Sequence, residues 1–219
     1  MKIVSINEHQ LSSYIHQQLK NFFPVPFSSD DILLIEKYLP ETLCRTAYCI
    51  DHVSMWKPGF FDVLHSSQYC IFLYYLANTI WNHERQTTLC NKLFFLNKTL
   101  NGIDCFYEIV LPDIFFIGHS VGIVLAKATY GRYLVLYQNS TVGKNHGIAP
   151  VIEEKVILYP NSAVIGNSLV KKGSVISQGV SVINKTTQPD TLVFNGLCGA
   201  LVYKKQSSKI VEGYFRDID

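Results

Sequence analysis

Ten apolar residues recur at a six-residue step in the second half of this chain. They are Val124, Tyr130, Leu136 and Val142, then, after four extra residues, Ile152, Leu158, Val164, Val170, Ile176 and Val182. Four positions after most of them stands a small or β-branched residue: Ala128, Ser140, Val156, Ser162, Ser168, Ser174, Val180 and Thr186. A step of six matches neither the 3.6-residue repeat of a helix nor the plain alternation of a flat strand. It matches a parallel β-helix of hexapeptide repeats, in which three short strands make one triangular coil and each face turns one side chain inward. One coil cannot bury its apolar side alone, so coils must stack and share a core.

The first half reads as helical. Leu11, Tyr14, Ile15 and Leu19 give one apolar face to a helix over 7–22. Ser29-Asp30-Asp31 is expected to cap a second helix, Pro40 to interrupt it, and 42–53 to resume it. Trp56-Lys57-Pro58-Gly59 reads as a turn, 59–83 as one long buried helix, and 87–100 as a helix ended by Asn101-Gly102. The expected coils run from near Ile103 to near Thr187. Leu192-Val193-Phe194 and Leu201-Val202-Tyr203 read as short strands, with the segment from Lys204 onward packing back or covering the last coil. The expected class is α+β: a helical N-terminal domain over 1–102 and a β-helix domain over 103–219.

Bulk properties exclude several functions. The 219 residues carry a net charge of only +2 and no basic stripe, so a nucleic-acid partner is not expected. The start, MKIVSINEHQ, lacks the pattern of a signal peptide. The apolar run Tyr69 to Ile80 is shorter than the roughly 20 residues that cross a bilayer. No integral membrane segment is expected, and the expected location is the cytoplasm. The six cysteines, at 44, 49, 70, 90, 105 and 198, form no CxxC pair and no zinc spacing with histidine. They read as reduced thiols, with no metal implied.

Two histidines fall where chemistry is most plausible for a prism without a deep pocket of its own. His119 lies in Ile117-Gly118-His119-Ser120-Val121-Gly122, and His146 in the insertion between Val142 and Ile152. An insertion in a solenoid bulges from one face, and such loops often form the binding side. His9 and His16 sit among polar neighbours and read as solvated.

Two stretches carry a family resemblance: Gly118-His119-Ser120-Val121-Gly122-Ile123-Val124-Leu125 and Tyr137-Gln138-Asn139-Ser140-Thr141-Val142-Gly143. They resemble bacterial serine acetyltransferases and their relatives in polysaccharide gene clusters. Asn97 to Gly102, running into Phe106-Tyr107-Glu108, is similar to the entry of the coils in the polysaccharide-linked branch. The resemblance spans roughly residues 89 to 200. It implies a left-handed β-helix, a homotrimer or a dimer of trimers, and acetyl-CoA as co-substrate.

By the same resemblance, His119 is the general base that deprotonates the acceptor hydroxyl. Imidazole suits a reaction needing a base poised near neutral pH. Asp104, fifteen residues earlier, takes the place of the aspartate that orients the imidazole; its other reading is a turn cap. Glu108 and Asp113 are weaker orienters. His146 is the alternative base. Asn145, Gln138 and Glu108 are the candidate acceptor contacts, and Lys171, Lys172, Lys185, Lys204 and Lys205 the candidate cations for the phosphates of CoA.

Departures from the serine enzymes point to another acceptor. Those enzymes carry Asp immediately before the histidine, where this chain has Gly118. They carry an Arg-His pair before the proline that follows the loop, where this chain has Ile148-Ala149. A zwitterion needs paired charges for recognition. The Gly-x-Pro-Ala element is degraded to Gly196-Leu197-Cys198-Gly199-Ala200, and the sequence ends Asp217-Ile218-Asp219 rather than in isoleucine. The expected activity is therefore acetyl transfer to a sugar hydroxyl of a surface polysaccharide or its precursor. Serine O-acetylation, N-acetylation of an amino-sugar and a non-catalytic β-helix scaffold are the alternatives.

Overall fold

The computed structural model describes residues 1–24 and 29–218. Four helices come first: α1 (Glu8–Phe22), α2 (Ser29–His52), α3 (Ser66–Glu84) and α4 (Thr87–Asn101). A capping box opens α1. Asn7 Oδ1 accepts from the Gln10 backbone N–H, and Gln10 Oε1 accepts from that of Asn7, both at 2.9 Å. Gly102, left-handed at φ 66°, closes α4 as Asn101-Gly102 predicts. Every residue of α3 from Ser67 to Ile80 is buried. No helix among the described residues is long and apolar enough to cross a membrane.

Two expectations fail in this half. First, α2 runs straight through Pro40. Proline removes the N–H that would bond the Glu36 carbonyl, but Glu36 and Pro40 both face solvent, which can serve that oxygen. Buried Ile35, Leu39 and Leu43 hold the helix in place. The hydroxyls of Thr42 and Thr46 donate to the carbonyls of Tyr38 and Thr42 at 2.8 Å. Asp31, near the start of α2, is buried in an ion pair with Lys92 at 3.0 Å; the residue preceding α2 lies outside the described residues. Second, 59–83 is not one helix. Phe60–Asp62 pairs in parallel with Lys2–Val4, and α3 begins only at Ser66, capped by His65. Asp62 Oδ1 accepts from the Leu64 N–H at 2.9 Å, a local turn that stops a helix forming there.

From Asp104 the chain winds into a parallel β-solenoid of about 5 turns, the form expected of a left-handed β-helix. It has three faces. Face A stacks Asp104–Cys105, Val124–Leu125, Thr141–Gly143, Ala163–Ile165 and Ser181–Ile183. Face B stacks Thr129–Tyr130, Val151–Ile152 and Leu169–Val170. Face C stacks Phe115–Ile117, Leu134–Leu136, Ile157–Leu158, Val175–Ile176 and Thr191–Asn195. Inward residues form continuous columns, such as Leu136, Leu158, Ile176 and Val193. Left-handed residues turn the corners. Between faces C and A these are Gly122 (φ 75°), Asn139 (φ 58°), Asn161 (φ 60°) and Gly179 (φ 71°).

The six-residue register slips at both ends. Val124 is 44 % exposed, and Leu125 is the residue stacked on Val142. Likewise Thr187, not Thr186, turns inward, with its hydroxyl 2.8 Å from that of Ser174. Corners of unequal length cause the first slip, as the functional site makes plain.

After face C the chain returns as an antiparallel strand, Leu201–Lys205. It then runs back toward α2, where Phe215 pairs with Val53. There the Arg216 guanidinium donates to the carbonyls of Asp51 (3.0 Å), Val53 (2.6 Å), Ser54 (2.7 Å) and Trp56 (2.7 Å). Carbonyls at the C-terminal end of a helix lack intrahelical partners and attract cations.

Candidate functional site

His119 stands at the corner between faces C and A, just after the first face C strand, Phe115–Ile117. In the next coil the same corner is made by Tyr137-Gln138-Asn139. Gly118 donates its N–H to the Leu136 carbonyl at 2.9 Å, and Asn139 donates to the Val121 carbonyl at 3.0 Å. Gly118 therefore stacks over Tyr137 and Val121 over Gln138, which leaves His119-Ser120 as two extra residues bulging outward. This bulge is what displaces Val124 from the six-residue register.

Three bonds pin the bulge. Ser67 Oγ, at the start of α3, donates to the Gly118 carbonyl at 3.3 Å. Ser120 Oγ donates to the Asn101 carbonyl at 2.6 Å. The Gly122 N–H donates to the Gly102 carbonyl at 2.9 Å. The helical half thus fixes the corner. It also holds the entry segment: Tyr74 Oη and Asn78 Nδ2 of α3 each donate at 2.7 Å, to the carbonyls of Ile109 and Tyr107. The result is an exposed imidazole on a rigid mount.

Beside it lies a tyrosine cluster. The His119 and Tyr137 rings are 6.4 Å apart, and Tyr137 stacks on Tyr159 at 5.5 Å. Tyr214, brought by the returning C-terminal segment, has its hydroxyl 2.9 Å from that of Tyr137. Burial pushes the Tyr214 phenol above its usual range, and the two neighbouring hydroxyls add to this. Gln138 Oε1 is buried at the same corner with no hydrogen-bond partner among the described residues.

The other sequence-named residues are not gathered here. Asp104 opens face A, but its Oδ2 is 2.6 Å from Lys98 Nζ, and no hydrogen bond among the described residues joins it to His119. His146 sits at the A–B corner, a different edge of the prism. It tips a two-residue hairpin in which Asn145 and Ile148 exchange backbone bonds at 3.0 Å. Positive φ at His146 (48°) and Gly147 (80°) marks a type I′ turn. Glu108 is 2.9 Å from Lys127.

The five candidate lysines also lie away from the His119 corner. Lys171 and Lys172, at the B–C corner, ion-pair with Glu153 (3.2 Å) and Glu154 (2.5 Å). Lys185, at the A–B corner, donates to the Gly199 carbonyl at 2.5 Å. Lys204 and Lys205 are exposed on the returning strand, without an acidic partner among the described residues. No group of three or more His, Cys, Asp or Glu suited to a metal occurs among the described residues.

Sequence reasoning missed the tyrosine cluster. Its signal was present: Tyr137 and Tyr159 each follow an inward leucine, Leu136 and Leu158, of the same column. Nothing in the repeat could place Tyr214, which arrives from outside it.

No protein-family model matches the sequence, and no curated protein is significantly similar to it. Solved structures are similar in fold. A serine acetyltransferase from Brucella abortus strain S19 superposes with a TM-score of 0.69 at 18 % identity, over 90 % of this chain and 85 % of its own. One from Vibrio cholerae gives 0.69 at 17 % identity, over 93 % and 89 %. A serine acetyltransferase in complex with CoA gives 0.69 at 18 % identity, over 88 % and 83 %. The helices and the solenoid together thus have the fold of the serine acetyltransferases.

Proposed function

We propose that this protein is an O-acetyltransferase that uses acetyl-CoA, with a sugar hydroxyl of a surface polysaccharide or its precursor as acceptor. The observation carrying the proposal is His119: an exposed imidazole fixed at a bulged corner of a β-helix shared with serine acetyltransferases. One of those similar structures holds CoA.

In the proposed reaction the acceptor hydroxyl gives its proton to the His119 imidazole as its oxygen attacks the thioester carbon. The tetrahedral intermediate then collapses, the C–S bond breaks, and the imidazolium returns the proton to the departing CoA sulfur. Base catalysis of this kind is worth about 10²–10⁴-fold. Asp104 remains the candidate orienter, but its carboxylate must first exchange Lys98 for His119.

The proposed assembly is a homotrimer. Outward Val124, Ile183 and Val151 leave faces A and B with exposed apolar side chains, whereas the outward Phe116 and Val175 of face C are buried. Association would also bring His146 and the lysines of one chain toward the His119 corner of another.

Serine O-acetylation is the second reading, favoured by the names of the similar structures. Against it stands the absence of a carboxylate at Gly118. The test is product analysis after incubation with acetyl-CoA and either saccharides or L-serine. An acetyl ester on a saccharide, labile to hydroxylamine, supports the first reading. O-acetylserine establishes the second, and a base-stable amide would mean an amino-sugar acceptor.

A further inference from the structure

We propose that the cavity between the turn at Trp56, the strand Phe60–Asp62 and the start of α3 binds a carboxylate-bearing sugar unit, so that the acceptor is an acidic glycan. The inference rests on the transferase reading and specifies the charge of its acceptor.

The cavity lies where the helical half meets the His119 corner. Ser67, between the lining residues His65 and Gln68, donates to the carbonyl of Gly118 at 3.3 Å. The lining Trp56 packs its ring 5.5 Å from that of Phe116, three residues before His119. The space is about 300 Å³. At roughly 30 Å³ for each water-sized group, that suits one sugar ring better than a small amino acid.

Its polar groups are mostly donors that lack acceptors. Gln68 is only 5 % exposed. Its Oε1 accepts from the Asp62 N–H at 2.8 Å, while its NH2 has no acceptor among the described residues. A buried donor left unpaired is destabilising, and a ligand oxygen would relieve this. The Lys57 ammonium lies 3.8 Å from the centre of the Phe60 ring and has no carboxylate partner among the described residues. His65 Nδ1 accepts from the Gln68 N–H at 3.5 Å, so in the neutral ring Nε2 holds the proton and is a third donor. The cavity has one carboxylate, that of Asp62. Its Oδ1 accepts from the Leu64 N–H at 2.9 Å, which leaves Oδ2 for a hydroxyl. Asp62 stands two residues beyond Phe60 on one strand, roughly 7 Å along it. A carboxylate and a hydroxyl on opposite edges of one sugar ring can therefore reach Lys57 and Asp62 together.

The experiment is a ligand-observed NMR titration of the full chain with the methyl glycosides of glucuronic and galacturonic acid, their neutral counterparts methyl glucoside and methyl galactoside, and L-serine. Wild type is compared with Lys57→Gln and Gln68→Glu. The second keeps the oxygen that holds the Asp62 N–H but replaces the free donor by negative charge. Lys57 is exposed, so its variant keeps the test valid should Gln68→Glu disturb the fold. The expected result is that at least one acidic glycoside binds, its neutral counterpart binds at least tenfold more weakly, and each substitution weakens the acidic ligand by about ten- to a hundredfold, the loss of one charge-assisted hydrogen bond. The subsite is overturned if no acidic glycoside binds, if the neutral ones bind as tightly, or if both variants bind as wild type does. L-serine bound more tightly than the acidic glycosides, and lost in Lys57→Gln, would make the cavity an amino-acid site and overturn it too. CoA release with neutral saccharides that neither substitution changes removes the subsite alone. Substitution-sensitive binding of an acidic glycoside without CoA release removes the transferase reading alone.

Discussion

Gly118 lies so close to Tyr137 that a Cβ on the glycine would stand 2.6 Å from Cε1 of the tyrosine ring. The position before His119 is therefore closed to any side chain unless Tyr137 moves. An aspartate there, which the resemblance assigns to the serine enzymes, is incompatible with this corner as built. Gly118→Asp is expected to lower stability by about 1–3 kcal/mol, the usual range for overpacking, and to confer no serine-dependent activity. Denaturant unfolding and an assay with L-serine check the two halves of that statement.

Arg216 ties the returning segment to the end of α2 through four carbonyls. Hydrogen bonds to a charged group contribute about 1.5–3 kcal/mol. Arg216→Ala should release the segment first, seen as faster amide exchange at Tyr214 and Phe215 than in the coils. Arg216→Lys should restore little, because a single ammonium cannot span the carbonyls that the planar fork reaches.

Asp31 and Lys92 form an ion pair with side chains only 5 % and 7 % exposed. Asp31→Ala leaves a buried ammonium without its carboxylate and should cost about 3–5 kcal/mol. The double substitution Asp31→Leu with Lys92→Met should cost less than Asp31→Ala, because it removes both members of this ion pair rather than one. Thermal unfolding of the wild type and the two variants distinguishes the outcomes.

Burial pushes the thiols of Cys49, Cys70 and Cys90 up to about 12. In the unfolded chain they titrate near the ordinary value of about 8.5. The folded state therefore keeps protons that the unfolded state releases. The stability this contributes is full below about pH 8.5 and is lost progressively as pH rises toward 12. Unfolding midpoints should fall across that window. At neutral pH a thiol reagent should modify exposed Cys44 and Cys198 rapidly and the buried thiols only on unfolding.

The solenoid was legible because its core repeats. Leu136, Leu158 and Ile176 occupy one column, and three such columns, one to each face, leave a six-residue step in the sequence. The helices were legible where local chemistry decides, as at Asn7 and Gly102. They were misread where packing overrides propensity: buried neighbours carry α2 through Pro40, and Phe60–Asp62 leaves the helical pattern to pair with Lys2–Val4. The site was only half legible. Spacing marks His119 and the loop of His146 but cannot show that they occupy different corners. Nor does spacing show that Lys98 holds Asp104, or that Tyr137 of the solenoid shares a hydrogen bond with Tyr214 of the returning C-terminal segment.

The most direct test of the central claim is the rate of CoA release from acetyl-CoA with a panel of capsule and lipopolysaccharide saccharides, for wild type and His119→Ala. Saccharide-dependent release that falls by about 10²–10⁴-fold in the variant, with acetyl-CoA binding retained, is the predicted result. Release that His119→Ala leaves unchanged would contradict the account, as would a wild-type protein that fails to bind acetyl-CoA.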